Sequence, residues 1–229
     1  ARGALSGGFF SQGLSDGGDP YFAHRPRWST TSRVLRLLAP EFRERIDAEH
    51  PIGRLADLVP RPNARWPCLG RDQYVEAHTL LTGFLLQAQG DRVAMAASIE
   101  GRYPFLDHRV IEFASRLPPR WKLRGLTEKY VLRRAVAPWL PPRIATRTKQ
   151  PYRAPDSASF FSNGKPLEYV AQALSPMEVR DSGYFDPDGV GRLLEKCRSG
   201  AAIGFGDNMA FVAVLTTQLL HQLCRKHFT

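Results

Sequence analysis

Apolar side chains recur at helical spacing through most of this 229-residue chain, and that periodicity constrains the fold more than any other feature. The stretch from about Asp207 to Lys226 is apolar on most sides, which is typical of a helix buried within a domain. The sequence contains no convincing strand pattern and no alternation of strands with helices. The pattern therefore predicts a mainly α fold with long ordered loops.

Several residues are placed where they can cap the first turn of a helix, because their side-chain oxygens accept backbone N–H groups. The predicted N-caps are Asp72, Asp107, Thr127, Ser175 and Asp186. Proline follows the last two, as is common at the first helical position. Gly90 is expected to end the helix that starts at Asp72. Pro40 is expected to begin a short helix after one that ends near Ala39.

The charge balance excludes few functions. Lys and Arg number 32 against 22 Asp and Glu, which gives a net charge of +10. The basic residues are spread along the chain, with no basic run longer than two or three. This argues against a nucleic-acid partner and leaves open a basic cleft that handles phosphate.

Cysteine usage and hydropathy indicate the compartment. Cys68, Cys197 and Cys224 are isolated and show neither metal-ligand spacing nor a disulfide framework, so a reducing cytoplasm is expected. The histidines have no HxxxH or HxH relation, and no metal ligands are predicted in the chain. No run of eighteen apolar residues predicts a membrane span.

The segment from Gly90 to His108 is the first candidate site. Its charged residues stand among apolar and aromatic neighbours: Asp91, Arg92, Glu100, Arg102 and Asp107. Ionised groups in such surroundings cost several kcal/mol unless they are paired or used (about 3–5 kcal/mol for a broken pair). Glu100 follows an apolar turn, and partial desolvation would fit it for proton transfer. The alternative is that Glu100 pairs with Arg92 or Arg102 and that Asp107 is only an N-cap.

A second candidate lies around Lys149. Arg147, Lys149 and Arg153 share a loop with Pro151 and Pro155, which stiffen the backbone and hold the cations in place. Fixed cations suit the stabilisation of charge on a transferring phosphoryl or adenylyl group. The alternative is a solvated basic loop.

A third motif, SGGFFS at 6–11, resembles the SGGxDS loop that cradles pyrophosphate in ATP-pyrophosphatase-type synthetases. Phe10 stands where the Asp that holds Mg²⁺ would be, and no buried strand precedes the motif. We interpret SGGFFS as a coincidence.

Two long segments together resemble a known family. DRVAMAASIEGRYPFLDHRVIEFASRLPP, followed some forty residues on by RTKQPYRAPDSASFF, is similar to the C-terminal synthetase domain of glutamine-dependent asparagine synthetase. The resemblance implies the helical C-terminal portion of an α/β adenine-nucleotide alpha-hydrolase-like (ATP-pyrophosphatase) synthetase domain. Residues 1–229 are then expected to be one incomplete domain, with an irregular or helical first segment, 1–71, and a helical core with active-site loops, 72–229.

The resemblance also implies a reaction. Aspartate, or a similar carboxylate, is activated by ATP with Mg²⁺ and attacked by ammonia from a glutaminase domain, giving asparagine, AMP and pyrophosphate. Lys149 matches the catalytic loop lysine that contacts phosphate, with Arg147 beside it, and Glu100 matches an acidic catalytic position. Asp91, Arg92, Arg102 and Asp107 are expected to support the site.

The pyrophosphate loop and the acidic Mg²⁺-binding segment of the family lie upstream of the part that this chain resembles. The Mg²⁺ ligands are therefore expected outside the chain, and the chain alone is expected to be inactive. The full-length form is expected to be cytoplasmic, with a homodimer as its candidate assembly. Two alternatives stay open: a relative that amidates another carboxylate or cyclises it as β-lactam synthetases do, and a non-catalytic helical binding module.

Overall fold

A computed structural model describes residues 19, 21–48, 65–148, 157–200 and 204–228. The SGGFFS motif and the predicted catalytic Lys149 lie outside the described residues, as does Arg153. The described part is mainly helical, which confirms the fold class predicted from the periodicity.

Helices account for most of the described residues. The α-helices are α1 (Arg25–Thr31), α2 (Pro40–Ala48), α3 (Cys68–Glu76), α4 (Arg92–Ala96), α5 (His108–Arg116), α6 (Pro119–Lys122), α7 (Tyr130–Val136), α8 (Pro142–Ala145), α9 (Glu168–Ala173), α10 (Pro176–Ser182), α11 (Pro187–Ser199) and α12 (Phe205–Phe228). A π-helix, Ala77–Asp91, joins α3 to α4. Short 3-10 helices span Phe22–His24, Ser32–Leu37, Pro104–Leu106, Ala137–Trp139 and Ser157–Phe160.

Strands are limited to two small antiparallel hairpins. The strands are β1 (Leu123–Arg124), β2 (Thr127–Glu128), β3 (Phe161–Ser162) and β4 (Lys165–Pro166). Strand β1 pairs with β2, and β3 pairs with β4. Each hairpin has a two-residue turn, and Asn163-Gly164 between β3 and β4 is the dipeptide that such turns favour because both residues adopt positive φ.

The described residues fall into two compact units. The first unit contains residues 25–48, 157–200 and 204–228, and the second contains residues 19, 21–24 and 65–148. The predicted division at residue 71 into a first segment and a helical core stays a prediction.

The hydrophobic core of the first unit is built around α12. Phe211, Val214 and Leu215 are each 1% exposed and belong to one buried cluster with residues of α9, α10 and α11. The rings of Phe160 and Phe161 lie 5.5 and 5.8 Å from that of Phe211. The prediction of a buried last helix is confirmed along this face, whereas Leu220 and Leu223 on the same helix are exposed.

Three of the predicted N-caps are confirmed. The Asp107 carboxylate accepts the Arg109 backbone N–H, the Ser175 hydroxyl accepts that of Glu178, and the Asp186 carboxylate accepts those of Asp188 and Gly189. The helix predicted to begin at Pro40 does begin there. These caps depend on neighbours within three residues, which is why the sequence reveals them.

The other two N-caps are wrong. The helix expected to start at Asp72 starts at Cys68, because the Pro67 carbonyl accepts the N–H groups of Gly70 and Arg71 and opens the helix a turn earlier. Gly90 does not end this helix, which continues through the π-helix to Ala96.

Thr127 lies in strand β2 rather than at a helix start. The hairpin β1–β2 turns at Gly125, whose φ of +57° suits glycine, and this pairing takes Thr127 away from α7. Helix α7 begins at Tyr130 after Lys129, which adopts the left-handed conformation.

The second unit has few buried side chains among its described residues. Val75 and His24 are buried on and beside α3, and the Nδ1 atom of His24 lies 3.2 Å from the Oε2 atom of Glu76. Burial raises the pKa of the nearby Asp72 carboxyl, while the charges of His24 and Arg71 act in the opposite direction. Most of the large apolar side chains of this unit are exposed.

Gln218 provides a test of the first unit's core. Its side chain is 2% exposed, its Nε2 atom lies 3.5 Å from the Ala173 carbonyl, and no donor in the described residues contacts its Oε1 atom. A buried unsatisfied amide oxygen costs free energy, so we expect Gln218→Leu to raise the free energy of unfolding by about 1 kcal/mol. Urea denaturation of the chain measures this change.

Gln222 is the matched control on the same helix. Its Nε2 atom donates to the Glu178 carboxylate at 3.2 Å, so Gln222→Leu removes a formed hydrogen bond and is expected to give no gain. A loss of stability in Gln218→Leu would show that the buried amide is satisfied and would contradict the interpretation.

Candidate functional site

The loop that carries Glu100 begins at a well-defined helix end. Helix α4 closes with the Ile99 N–H donating to the Ala94 carbonyl at 2.8 Å and the Ser98 N–H donating to the Met95 carbonyl at 3.0 Å. This pair of bonds is a Schellman motif, which requires a left-handed residue between them. Ser98 is that residue, with a φ of +54°. A serine thus occupies the position that glycine adopts without strain.

The other side of Glu100 is shaped by a close approach of ring to backbone. A Cβ atom at Gly101 would lie 2.5 Å from Cζ and 2.7 Å from Cε2 of Tyr103, so the tyrosine ring lies directly against the Gly101 backbone and would have to move to admit a larger residue. The Tyr103 hydroxyl also lies 3.7 Å from the position that a Cβ atom at Gly90 would occupy. Glu100 is therefore held between a left-handed turn and a packed ring.

Glu100 itself is exposed, as are Asp91, Arg92 and Arg102. Within the described residues, none of these four side chains has a hydrogen bond or an ion pair. The ion-pair lattice that the sequence suggested does not form among these four side chains within the described part of the chain. The apolar surroundings that would desolvate Glu100 are not provided by the described residues either. The roles assigned to these four residues stay predictions.

Asp107 differs from the other charged residues of the segment. Besides capping α5, its carboxylate accepts two side-chain hydrogen bonds from Arg109, at 3.0 Å from Nε and 2.7 Å from Nη2. These bonds lower the pKa of the Asp107 carboxyl and raise that of Arg109. Each oxygen of the carboxylate thus has at least one partner within its own helix, and the supporting role predicted for Asp107 stays a prediction.

Arg147 lies just after α8. Its backbone N–H donates to the Ile144 carbonyl at 3.2 Å, and its side chain is exposed. No hydrogen bond or ion pair joins Arg147 to Glu100 among the described residues. Lys149 lies outside the described residues. Of the two cations predicted to face phosphate, the structure therefore describes only Arg147.

Metal ligation finds no support in the described residues. They contain no group of three or more His, Cys, Asp and Glu side chains arranged to hold a metal ion.

In the same part of the chain, no helix is both long enough and apolar enough to cross a bilayer.

Sequence reasoning missed the exposure of apolar side chains around the candidate loop. Seven large apolar residues within 93–113 are between 39% and 68% exposed. This exposed apolar group consists of Val93, Met95, Ile99, Phe105, Val110, Ile111 and Phe113. Large exposed apolar patches on a folded chain commonly mark surfaces that another molecule or another part of the protein covers. Helical periodicity predicts which residues are apolar, but it does not tell whether the partner surface belongs to the same chain.

Ser98 provides a test of the loop geometry. A non-glycine residue in the left-handed conformation costs about 1–2 kcal/mol, so we expect Ser98→Gly to raise the free energy of unfolding by about 1 kcal/mol. Urea denaturation measures the gain. Ser98→Ala keeps a Cβ atom and is the control, with no gain expected. Equal effects of the two substitutions would contradict a left-handed Ser98.

Comparisons with known proteins place this geometry in a family context. The chain matches the sequence model described as asparagine synthase over residues 15–222. It is 31% identical over 150 residues to Amidase chyE of Penicillium rubens, covering 63% of this chain and 22% of that protein. It is 34% identical over 141 residues to a putative glutamine-hydrolysing asparagine synthetase of Mycobacterium tuberculosis, covering 61% of this chain and 21% of that protein.

A further relative is the glutamine-hydrolysing asparagine synthetase 1 of Bacillus subtilis, which is 32% identical over 127 residues, with 56% of this chain and 19% of that protein covered. The chain thus spans about a fifth of the length of these relatives. No solved structure matched the chain.

Proposed function

The chain belongs to the asparagine synthase family, and on that premise we propose that it is part of an ATP-dependent ligase that forms asparagine. In this proposal ATP adenylates the side-chain carboxylate of aspartate, pyrophosphate leaves, and ammonia released from glutamine displaces AMP. The observation that carries the proposal is the family match over residues 15–222, which includes both the Glu100 segment and the Lys149 loop.

Lys149 and Arg147 are proposed to act on the phosphates. Expulsion of pyrophosphate builds negative charge on the leaving oxygens, and a fixed ammonium offsets this charge most strongly in a site closed to water. Arg147 is exposed at the end of α8, where its guanidinium is free to face a polyanion. The chemistry of both side chains fits the phosphate groups of ATP.

The residues described here do not fit a magnesium site. Mg²⁺ takes oxygen ligands in octahedral geometry, usually from one or two carboxylates and substrate phosphates. The Asp107 carboxylate is bound by Arg109, and Glu100 has no second carboxylate arranged with it for a metal among the described residues. We propose that the Mg²⁺ ligands belong to another part of the full-length protein, and we derive no step through the metal.

Glu100 is proposed to assist proton transfer during attack by ammonia. The Schellman turn at Ser98 and the Tyr103 ring against Gly101 hold the backbone on both sides of it. Covering the loop with apolar surface disfavours the ionised form and makes the carboxylate a better proton acceptor.

The exposed apolar group is proposed to pack against the remainder of the synthase domain. The chain spans about a fifth of its relatives, and each buried side chain of this kind stabilises an interface by about 1.5–3 kcal/mol relative to exposure. Such packing would also cover Glu100, which lies within the same stretch of sequence. The partners proposed for the whole protein are aspartate or a similar carboxylate, ammonia from a glutaminase domain and a second copy of the full-length chain, in the cytoplasm.

A second candidate is amidation of a different carboxylate. Two relatives are named amidases rather than asparagine synthetases, Amidase chyE and, in Gibberella zeae, Amidase chry2, at 31% and 29% identity, so the similar proteins are not all named for asparagine. Both candidates share carboxylate activation and differ in the carboxylate. Exchange of labelled pyrophosphate into ATP, measured with aspartate and with a panel of other carboxylic acids, separates them.

Lys149 provides the functional test. In the full-length enzyme, Lys149→Ala is expected to lower the rate of asparagine and AMP formation by at least about 100-fold, since fixed charge stabilisation of this kind typically contributes 10²–10³. Glutaminase activity, measured as glutamate release, is expected to persist. Arg143→Ala removes an exposed cation six residues earlier and is the control. Near-normal AMP formation by Lys149→Ala would contradict the assignment.

The exposed apolar group provides a separate test. Met95 and Met177 are 67% and 63% exposed in the chain, and Met177 lies on α10 of the first unit. If the remainder of the domain covers Met95, Met95→Asp buries an unpaired charge and is expected to lower the stability of the full-length protein by about 3 kcal/mol. Met177→Asp is the matched control, with a smaller effect. Equal thermal stability of the two variants would contradict the packing.

A further inference from the structure

Two arginines from different elements converge on one tyrosine hydroxyl in the second unit. Arg124 lies on β1, whereas Tyr130 and Arg134 lie on α7. The Nη1 atom of Arg124 donates to Tyr130 Oη at 2.6 Å, and the Nη1 atom of Arg134 donates to the same oxygen at 3.1 Å. The two guanidinium carbons lie 5.1 and 5.9 Å from the centroid of the tyrosine ring.

Both guanidinium groups keep donors for another ligand. A guanidinium carries five N–H donors, and here one nitrogen of each is used by Tyr130. Within the described residues, neither arginine has a carboxylate partner or a second hydrogen-bond acceptor. The side chains are exposed, so an incoming anion can reach the remaining donors.

The surrounding charges favour an anion. The other charged residues on the elements around Tyr130 are Arg120, Lys122, Glu128, Lys129 and Arg133. Positive charge exceeds negative charge among them, and the two guanidinium groups repel each other because they share one neutral acceptor. Hydrogen bonds from Arg134 and Arg124 lower the pKa of Tyr130, which reports the same positive field.

The backbone fixes the positions of the two arginines relative to each other. Arg124 pairs with Thr127 across the hairpin, and the turn between them begins at Gly125 with a φ of +57°. The Trp121 ring packs against Tyr130 with centroids 6.2 Å apart. The backbone that carries both arginines is therefore ordered before an anion binds, which lowers the entropic cost of binding.

We propose that Arg124 and Arg134 form a binding site for a free phosphate-type oxyanion, which displaces the Tyr130 hydroxyl from between the two guanidinium groups. Guanidinium forks match the tetrahedral oxygens of phosphate by paired hydrogen bonds, and one oxyanion can accept from both forks at once. The site uses none of the residues assigned to the ligase reaction, so it does not rest on the proposed function.

Affinity for inorganic pyrophosphate tests the site. Calorimetric titration uses the full-length protein carrying Lys149→Ala, which weakens the pyrophosphate site of the proposed ligase reaction, and is done without nucleotide. Pyrophosphate binding is expected to weaken by about tenfold or more when Arg124→Gln/Arg134→Gln, which loses both forks, is added to this background. Arg116→Gln/Arg143→Gln removes the same charge from exposed positions elsewhere in the unit and is expected to change the affinity by less than about twofold, as diffuse screening would. Arg124→Lys/Arg134→Lys keeps the charge but not the fork, and its affinity for pyrophosphate is expected to lie between those of the other two double variants.

The pH midpoint at which Tyr130 ionises supplies a second measurement. If the two arginines had only a structural role, pyrophosphate would not change this midpoint. The absorbance difference between the parent and Tyr130→Phe follows this phenol as the pH is raised. Saturating pyrophosphate is expected to shift its midpoint upward, because the anion takes the arginine donors and adds negative charge beside the phenol. Arg134→Gln is expected to raise the same midpoint without pyrophosphate.

Three results would overturn the proposal. One is pyrophosphate binding that falls equally in the Gln pair and in the Arg116/Arg143 control, since this would indicate a diffuse charge effect. Another is an unchanged Tyr130 midpoint at saturating pyrophosphate. The third is tighter binding of a short single-stranded oligonucleotide than of pyrophosphate, lost in the Gln pair, which would assign the arginines to a nucleic-acid backbone rather than to a free oxyanion.

Discussion

The packing of α12 against three shorter helices is the interaction on which the first unit depends. Phe211, Val214 and Leu215 are buried in one cluster with side chains of α9, α10 and α11. Full burial of each such side chain contributes about 1.5–3 kcal/mol relative to exposure. The short helices, α9 with six residues and α10 with seven, are too short to be stable alone in water, so α12 supplies the surface that stabilises them.

The second unit lacks a comparable hydrophobic core among its described residues. Its long helical segment from Cys68 to Ala96 buries Val75, yet its apolar residues further along, including Met95, are exposed. The same sequence signal, apolar residues at helical spacing, therefore has two outcomes in one chain. The difference depends on whether the complementary surface is present, and for the second unit we propose that the rest of the synthase domain provides it.

The candidate loop depends on local backbone geometry more than on buried contacts. Ser98 adopts the left-handed conformation before Glu100, and the Tyr103 ring lies against the Gly101 backbone after it. Strain of this kind persists where the surrounding structure requires one particular path. A preformed loop with an exposed carboxylate suits a site that becomes complete when further surface covers it.

The sequence by itself determined the helical class, the start at Pro40 and the caps at Asp107 and Ser175, because these features depend on spacing and on neighbours a few residues away. It also contained the Asn163-Gly164 turn signal, which the helical interpretation overlooked. Only the tertiary structure decided that the helix runs past Gly90, that Arg124 and Arg134 meet at one hydroxyl, and that Glu100 is exposed. Those outcomes depend on how neighbouring elements fold onto each other and on which apolar surfaces find a partner, and neither is encoded in local spacing.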